Sequence, residues 1–300
     1  MSENPKPLVF VTNLDKSLET RLKKDLQDLG FVLTTPPHTY FSAKKTGCSC
    51  TFYLSGKFTV QGKDMANFIE FYLEPQILQK LVFTYSDLDL DRTARIGIDE
   101  SGKGDFFGPL CVAGVFAFDE QITELKKIGV KDSKGLNDQA IAKIAQKIKK
   151  NCLHHIVKIN PYKYNELYLQ FKNLNYLLGW GHATVIEQLI GKSHCHKVII
   201  DQFANEYVVI NALKRKNLEV ELTQRHKGEE DIVVAAASIL ARDTFVNGLL
   251  ELEEKYGIKL PKGASALTKT AALNFIKKFG KEELHHVCKV HFKTYLEVTT

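Results

Sequence analysis

Residues 96 to 105 read Ile-Gly-Ile-Asp-Glu-Ser-Gly-Lys-Gly-Asp, so two adjacent acids, Asp99 and Glu100, close a short apolar run. A second run, Lys-Val-Ile-Ile-Asp, ends in the same manner on Asp201. Aspartates at the carboxyl ends of sheet strands stand where ligands bind in α/β folds. Clustered carboxylates repel one another unless a cation lies between them. An oxygen-only donor set suits Mg²⁺ or Mn²⁺. Two such ions about 4 Å apart can activate water and stabilise a leaving oxygen in phosphodiester hydrolysis. A lone aspartate at a strand end also serves as a turn former or helix N-cap. Two strand ends and an adjacent glutamate weigh towards the cation, although spacing by itself does not decide.

Strand alternation places Asp99 opposite Ile96 and Ile98, and Glu100 joins Asp99 only if the strand ends there. The Ser101-Gly102-Lys103-Gly104 segment that follows supplies that irregularity, and its glycines permit close approach of backbone to a sugar-phosphate. GKGDFFG lacks GxGxxG spacing, and IGKS (190–193) is not a P-loop, because Ile186 stands where the first glycine belongs. His194-Cys195-His196 has no second ligand pair at zinc spacing, and no G-x-S-x-G elbow is present.

The elements that must position these acids are legible from periodicity. Strands are expected at 8–13, at 49–64 as a pair turning at Ser55-Gly56, at Arg95–Asp99, and at 109–118, 153–160, 197–201 and 218–225. Helices are expected at 17–30, at 64–81 with a bend or break near Pro75, at 137–151, at 183–191 and at 231–257. The polar segment 84–94 marks a domain boundary, giving domains 1–88 and 89–300. Alternating strands and helices after it argue an α/β domain around a central sheet.

The 300 residues are 44% hydrophobic and 25% charged, with a net charge of +6 that mildly favours polyanionic partners. No apolar run reaches the roughly 18 residues of a membrane span, and the N-terminus lacks a signal pattern. Six scattered cysteines suggest reduced thiols and a cytoplasmic location.

The segments IGIDESGKGDFFGP, GVKDSKGL (129–136), NPYKYN (160–165), VIIDQFA (198–204), VAAASILAR (234–242) and LPKGA (260–264) together resemble bacterial ribonuclease HIII, a branch of the type 2 ribonucleases H. The likeness covers roughly residues 94–295. YLSGKFTVQGKD (53–64) is similar to a strand pair in the extra N-terminal domain of that branch. The resemblance implies a ribonuclease H-like α/β catalytic domain, with a central mixed sheet and flanking helices. It also implies a small N-terminal α+β domain like half of the TATA-binding protein, whose basic surface holds substrate. The implied activity is endonucleolytic hydrolysis of the RNA strand of an RNA–DNA hybrid, leaving 3′-hydroxyl and 5′-phosphate ends, with Mg²⁺ or Mn²⁺ as cofactor. Cleavage at single ribonucleotides, as in ribonuclease HII, and binding without catalysis are the alternatives.

By the same resemblance the metal ligands are Asp99, Glu100 and Asp201. A fourth acid comes from Glu229, Glu230 or Asp231, with Asp231 preferred and Glu229 second. The backbone of Ser101, Gly102, Lys103 and Gly104 would meet ribose 2′-hydroxyls, the groups that distinguish RNA from DNA. Lys134, Lys163 and Tyr164 are further substrate contacts. A monomer without a membrane or obligate protein partner is expected.

Overall fold

The computed structural model describes residues 9–79, 90–130, 136–226 and 228–300. The chain forms two compact units, Met1–Asp91 and Arg92–Thr300.

In the first unit, strand β1 (Val9–Asn13) leads through a short 3₁₀ turn into helix α1 (Glu19–Asp28). Strands β2 (Val32–Thr34), β3 (Thr39–Lys45), β4 (Cys48–Tyr53) and β5 (Lys57–Gln61) follow, and helix α2 (Met65–Phe68) ends the run. The five strands make one antiparallel sheet in the order β1-β5-β4-β3-β2. Leu22 and Leu26 of α1 pack with Phe41, Phe52, Phe58 and Val60 to form its core. Near Pro75, where a bend or break was expected, the helix neither stops nor stays α-helical: α2 passes into a π-helix over Ile69–Leu78 that contains Pro75. This unit carries 10 Lys and Arg against 11 Asp and Glu, so the positive excess of the whole chain belongs to the second unit.

The second unit begins with β6 (Arg95–Ser101) and β7 (Leu110–Ala117), followed by helices α3 (Asp119–Lys127) and α4 (Asp138–Asn151). Strand β8 (Leu153–Ile159), helices α5 (Pro161–Phe171) and α6 (Leu174–Ser193), strand β9 (Lys197–Asp201), helix α7 (Tyr207–Arg215) and strand β10 (Glu221–Arg225) come next. Helices α8 (Ile232–Tyr256), α9 (Ala266–Phe279) and α10 (Lys293–Thr299) complete it. The sheet order is β10-β9-β6-β7-β8, with β6, β9 and β10 parallel and β7 antiparallel to both its neighbours. This is the expected mixed sheet.

Helix α6 begins nine residues before the 183–191 expected from periodicity, because it is apolar nearly all round and so shows no single face. It covers one face of the sheet, packing Leu177, Leu178, Val185 and Leu189 on Ile96, Ile98 and Val112. Helix α8 covers the other. A Cβ on Gly97 would overlap the backbone of Val233 and Val234, so α8 lies directly on β6 at that point. Helix α8 is long and apolar enough by composition to cross a bilayer, a candidate that the sequence reading missed. Within this fold it is the core helix, mostly buried.

Candidate active site at an opening in the sheet

Strands β6 and β9 pair in parallel through Ile96–Val198, Gly97–Ile199 and Ile98–Ile200, and the pairing then stops. The next residues on the two strands are Asp99 and Asp201, which therefore flank the opening. Strand β6 itself runs on, paired with β7 as far as Ser101–Cys111. The strand thus does not end at Glu100, and Glu100 does not turn to the Asp99 side. Alternation persists: Asp99 lies on the α8 face, where the Ser238 hydroxyl hydrogen bonds to it, and Glu100 lies on the α6 face.

There the His182 ring meets Glu100 Oε2 through Nε2 at 3.1 Å. The other oxygen, Oε1, accepts a hydrogen bond from the Lys103 ammonium at 2.6 Å. The Glu100 side chain is 3% exposed, against 48% for that of Lys103. Asp99 Oδ1 accepts from the Glu100 amide at 2.7 Å.

Electrostatics ties the three acids together. Burial, then the Glu100 charge and the Asp201 charge, push the Asp99 carboxyl up to about 7. Burial also works to raise Glu100, but His182 and Lys103 outweigh it and hold that carboxyl below the ordinary range. For the Lys103 ammonium, burial is overcome by Glu100, Asp99 and Asp201 together, and its pKa rises. One ammonium thus balances three carboxylates.

Asp201 Oδ1 accepts the Gly228 amide at 2.8 Å, at the start of a 3₁₀ turn over Gly228–Glu230. A Cβ on Gly228 would press on the Asp201 backbone, so only glycine brings this turn so close. Asp231, the preferred fourth acid, is engaged elsewhere. Its Oδ1 caps α8 by accepting from the Val233 and Val234 amides at 2.9 and 3.3 Å. Its Oδ2 pairs with Arg95 Nε at 2.8 Å, and Arg95 is 2% exposed. Both oxygens are therefore committed to holding α8 against β6. The signal in the sequence was Asp231 immediately before an apolar helix, which is an N-cap pattern.

The glycine loop is pinned from the far end of the chain. Gly102 has φ +90°, and a Cβ there would strike the Pro109 carbonyl and the Phe245 ring. Asp105 Oδ1 accepts the Gly263 amide at 2.6 Å, and the Phe106 amide donates to the Gly263 carbonyl. The buried Lys289 ammonium donates to the Asp105, Phe107 and Gly108 carbonyls at 2.8, 3.5 and 2.7 Å. LPKGA and the Cys288-Lys289 segment thus fix the loop, while Lys103 and Gly104 stay exposed. Nothing in the sequence marks Lys289, because a lysine reads as surface.

The remaining expected contacts divide. Lys163 is exposed and paired with Glu166 at 2.9 Å. Tyr164 is fully buried, with its hydroxyl 3.3 Å from His291 Nδ1, so it is a core residue and not a substrate contact. Its place on the inner face of α5 decides this. Lys134 lies outside the described residues.

The donor set fits hard divalent cations: it is oxygen-only, carries excess negative charge, and already recruits an ammonium. Among the described residues no three His, Cys, Asp or Glu side chains close on one point, so the carboxylates form an open cluster.

The family model for Ribonuclease HII matches residues 96–295, and that for Domain of unknown function (DUF3378) matches residues 9–81. Ribonuclease HIII of Protochlamydia amoebophila is 58% identical over 285 residues, 95% of each chain. Ribonuclease HIII of Chlamydia felis is 49% identical over 96% of this chain and 97% of its own. The crystal structure of Bst-RNase HIII in complex with Mn²⁺ superposes with a TM-score of 0.68, at 27% identity over 97% of both chains.

Proposed function

The chain belongs to the Ribonuclease HII family, in the branch of the ribonucleases HIII, and on that premise we propose that the carboxylates at the β6–β9 opening carry its reaction. It is an endonuclease that hydrolyses the RNA strand of RNA–DNA hybrids, leaving 3′-hydroxyl and 5′-phosphate ends. The observation that carries the site is the end of the parallel pairing after Ile98–Ile200, which gathers Asp99, Glu100 and Asp201 about the Lys103 ammonium.

Asp99, Glu100 and Asp201 would hold the divalent cations, Mg²⁺ or Mn²⁺. The fourth acid would be Glu229, the next residue in sequence after Gly228, whose amide binds Asp201, since Asp231 is committed to Arg95 and the α8 cap; the Glu229 side chain lies outside the described residues. Bound cations lower the pKa of water and stabilise the leaving 3′-oxygen. The chain's own residues supply orientation. Ser238 and the Glu100 amide fix Asp99, and the Gly228 amide fixes Asp201. The exposed Lys103-Gly104 backbone, pinned through Asp105 and Lys289, meets the ribose 2′-hydroxyls beside the cut. Lys103 is long and exposed enough to turn from Glu100 to a substrate phosphate. The first unit holds the duplex through local contacts and not through net charge. A monomer in the cytoplasm is the state we propose; six free thiols are consistent with that reducing compartment.

The test is Asp201→Asn assayed on a long RNA–DNA hybrid, with folding followed by circular dichroism. Cleavage should vanish while the fold is retained; a fully active variant would overturn the site. Wild-type enzyme should cut the long hybrid in preference to a duplex containing one ribonucleotide, and the reverse preference would favour ribonuclease HII-type specificity.

A further inference from the structure

We infer that His182 is a positioning residue for Glu100, holding Oε2 from inside the protein so that Oε1 alone faces the cation; this rests on the carboxylate reading above. His182 sits in the middle of α6 and is fully buried. Its Nε2 lies 3.1 Å from Glu100 Oε2, while Nδ1 is buried without a hydrogen-bond partner. The proton on the ring is therefore placed on Nε2, where it has an acceptor, because an N–H at Nδ1 would be buried with none. Phe203, two residues beyond Asp201, packs on the ring at 4.7 Å between centroids and fixes its plane.

Two oxygens of one carboxylate thus have different neighbours. Oε2 faces a buried donor that cannot leave without unpacking α6. Oε1 faces the Lys103 ammonium, which is nearly half exposed and can move away. A buried polar group such as this histidine is costly in an otherwise apolar helix face among Leu177, Leu178 and Val185. Among the described residues the hydrogen bond to Glu100 is its one polar contact. Outer-shell partners of this kind fix a ligand's orientation, and their loss costs about 10- to 100-fold in metal affinity.

The experiment titrates the full-length protein with Mn²⁺ alone, without substrate, by electron paramagnetic resonance, and records thermal unfolding of the same samples without metal. The variants are His182→Asn, His182→Gln, Glu100→Gln and the double variant Glu100→Gln with His182→Asn. Glutamine can place its amide nitrogen where Nε2 stands, whereas asparagine reaches only the Nδ1 position. Glu100→Gln should weaken Mn²⁺ binding, and His182→Asn should weaken it about 10- to 100-fold. His182→Gln should restore binding to within about threefold of wild type, or about 0.6 kcal/mol. In the Glu100→Gln background, His182→Asn should have no further effect. Wild-type affinity in Glu100→Gln would overturn the carboxylate reading and this inference with it. Weakened binding in Glu100→Gln, with wild-type affinity in His182→Asn, would overturn the inference alone. Equal weakening by asparagine and glutamine, following equal losses of thermal stability, would reduce His182 to a packing role and overturn it too.

Discussion

Replacing Asp231 by asparagine separates two jobs that one residue could do. Asparagine caps a helix about as well as aspartate, so the bonds to the Val233 and Val234 amides survive. The charge facing Arg95 does not. Arg95 is 2% exposed and its Nε lies 2.8 Å from Asp231 Oδ2, so the substitution takes a carboxylate away from a buried guanidinium. Removing one partner of such a pair costs about 3–5 kcal/mol. The asparagine oxygen stays in the cap and its NH₂ group faces Arg95, but the Thr93 carbonyl still accepts from the guanidinium, which places this case at the lower end. For a unit of this size that loss lowers the unfolding midpoint by about 6–12 °C. Thermal and urea unfolding measure it. Adding Arg95→Met should recover part of the loss, with a coupling of about 2 kcal/mol. Mn²⁺ affinity of the folded Asp231→Asn protein should stay within about threefold, or about 0.6 kcal/mol, whereas Glu229→Gln should weaken it well beyond that. Wild-type stability with lost Mn²⁺ affinity in Asp231→Asn would refute the reasoning and make Asp231 a ligand.

Gly97→Ala should destabilise the second unit by about 1–3 kcal/mol, since a Cβ there must push α8 off β6; unchanged urea unfolding would contradict the close approach. Lys289 gives a pH signature. Burial lowers its pKa from 10.5 to about 8, against the attraction of Asp105, Cys111 and Cys288. Between those values the unfolded chain binds the proton and the folded one does not, so this lysine makes stability rise with pH, by about 3 kcal/mol across the window. Below pH 8 the lysine is protonated in both states and this dependence is absent. The stability difference between wild type and Lys289→Met should therefore grow from pH 8 to 10.5, and a flat difference would refute it.

The contrast between Asp231 and Glu100 shows where sequence reading stops. An acid immediately before an apolar helix was visible in the sequence at Asp231. Its partner Arg95 lies 136 residues earlier, and only the packing of α8 on β6 brings them together. Glu100 is the reverse case. Its role as a candidate ligand follows from its place beside Asp99, but the irregularity expected after it comes from a different source. Strand β6 keeps its alternation to Ser101, and the loss of β9 on one side creates the opening. Tyr164 and Lys289 invert their ordinary habits, one an expected contact that is buried, the other a buried cation among three carbonyls.

What the sequence alone determined is local: strands that carry Asp99 and Asp201, a glycine loop beginning at Gly102, and a long apolar helix from about residue 231. Each depends on side-chain period, turn chemistry or a cap, which act over a few residues. What the tertiary structure decided is which oxygens face each other. His182, Ser238, Gly228 and Lys289 reach the site from four separate segments, and a hydrogen bond across 82 residues, such as that between His182 and Glu100, leaves no periodic trace in either segment.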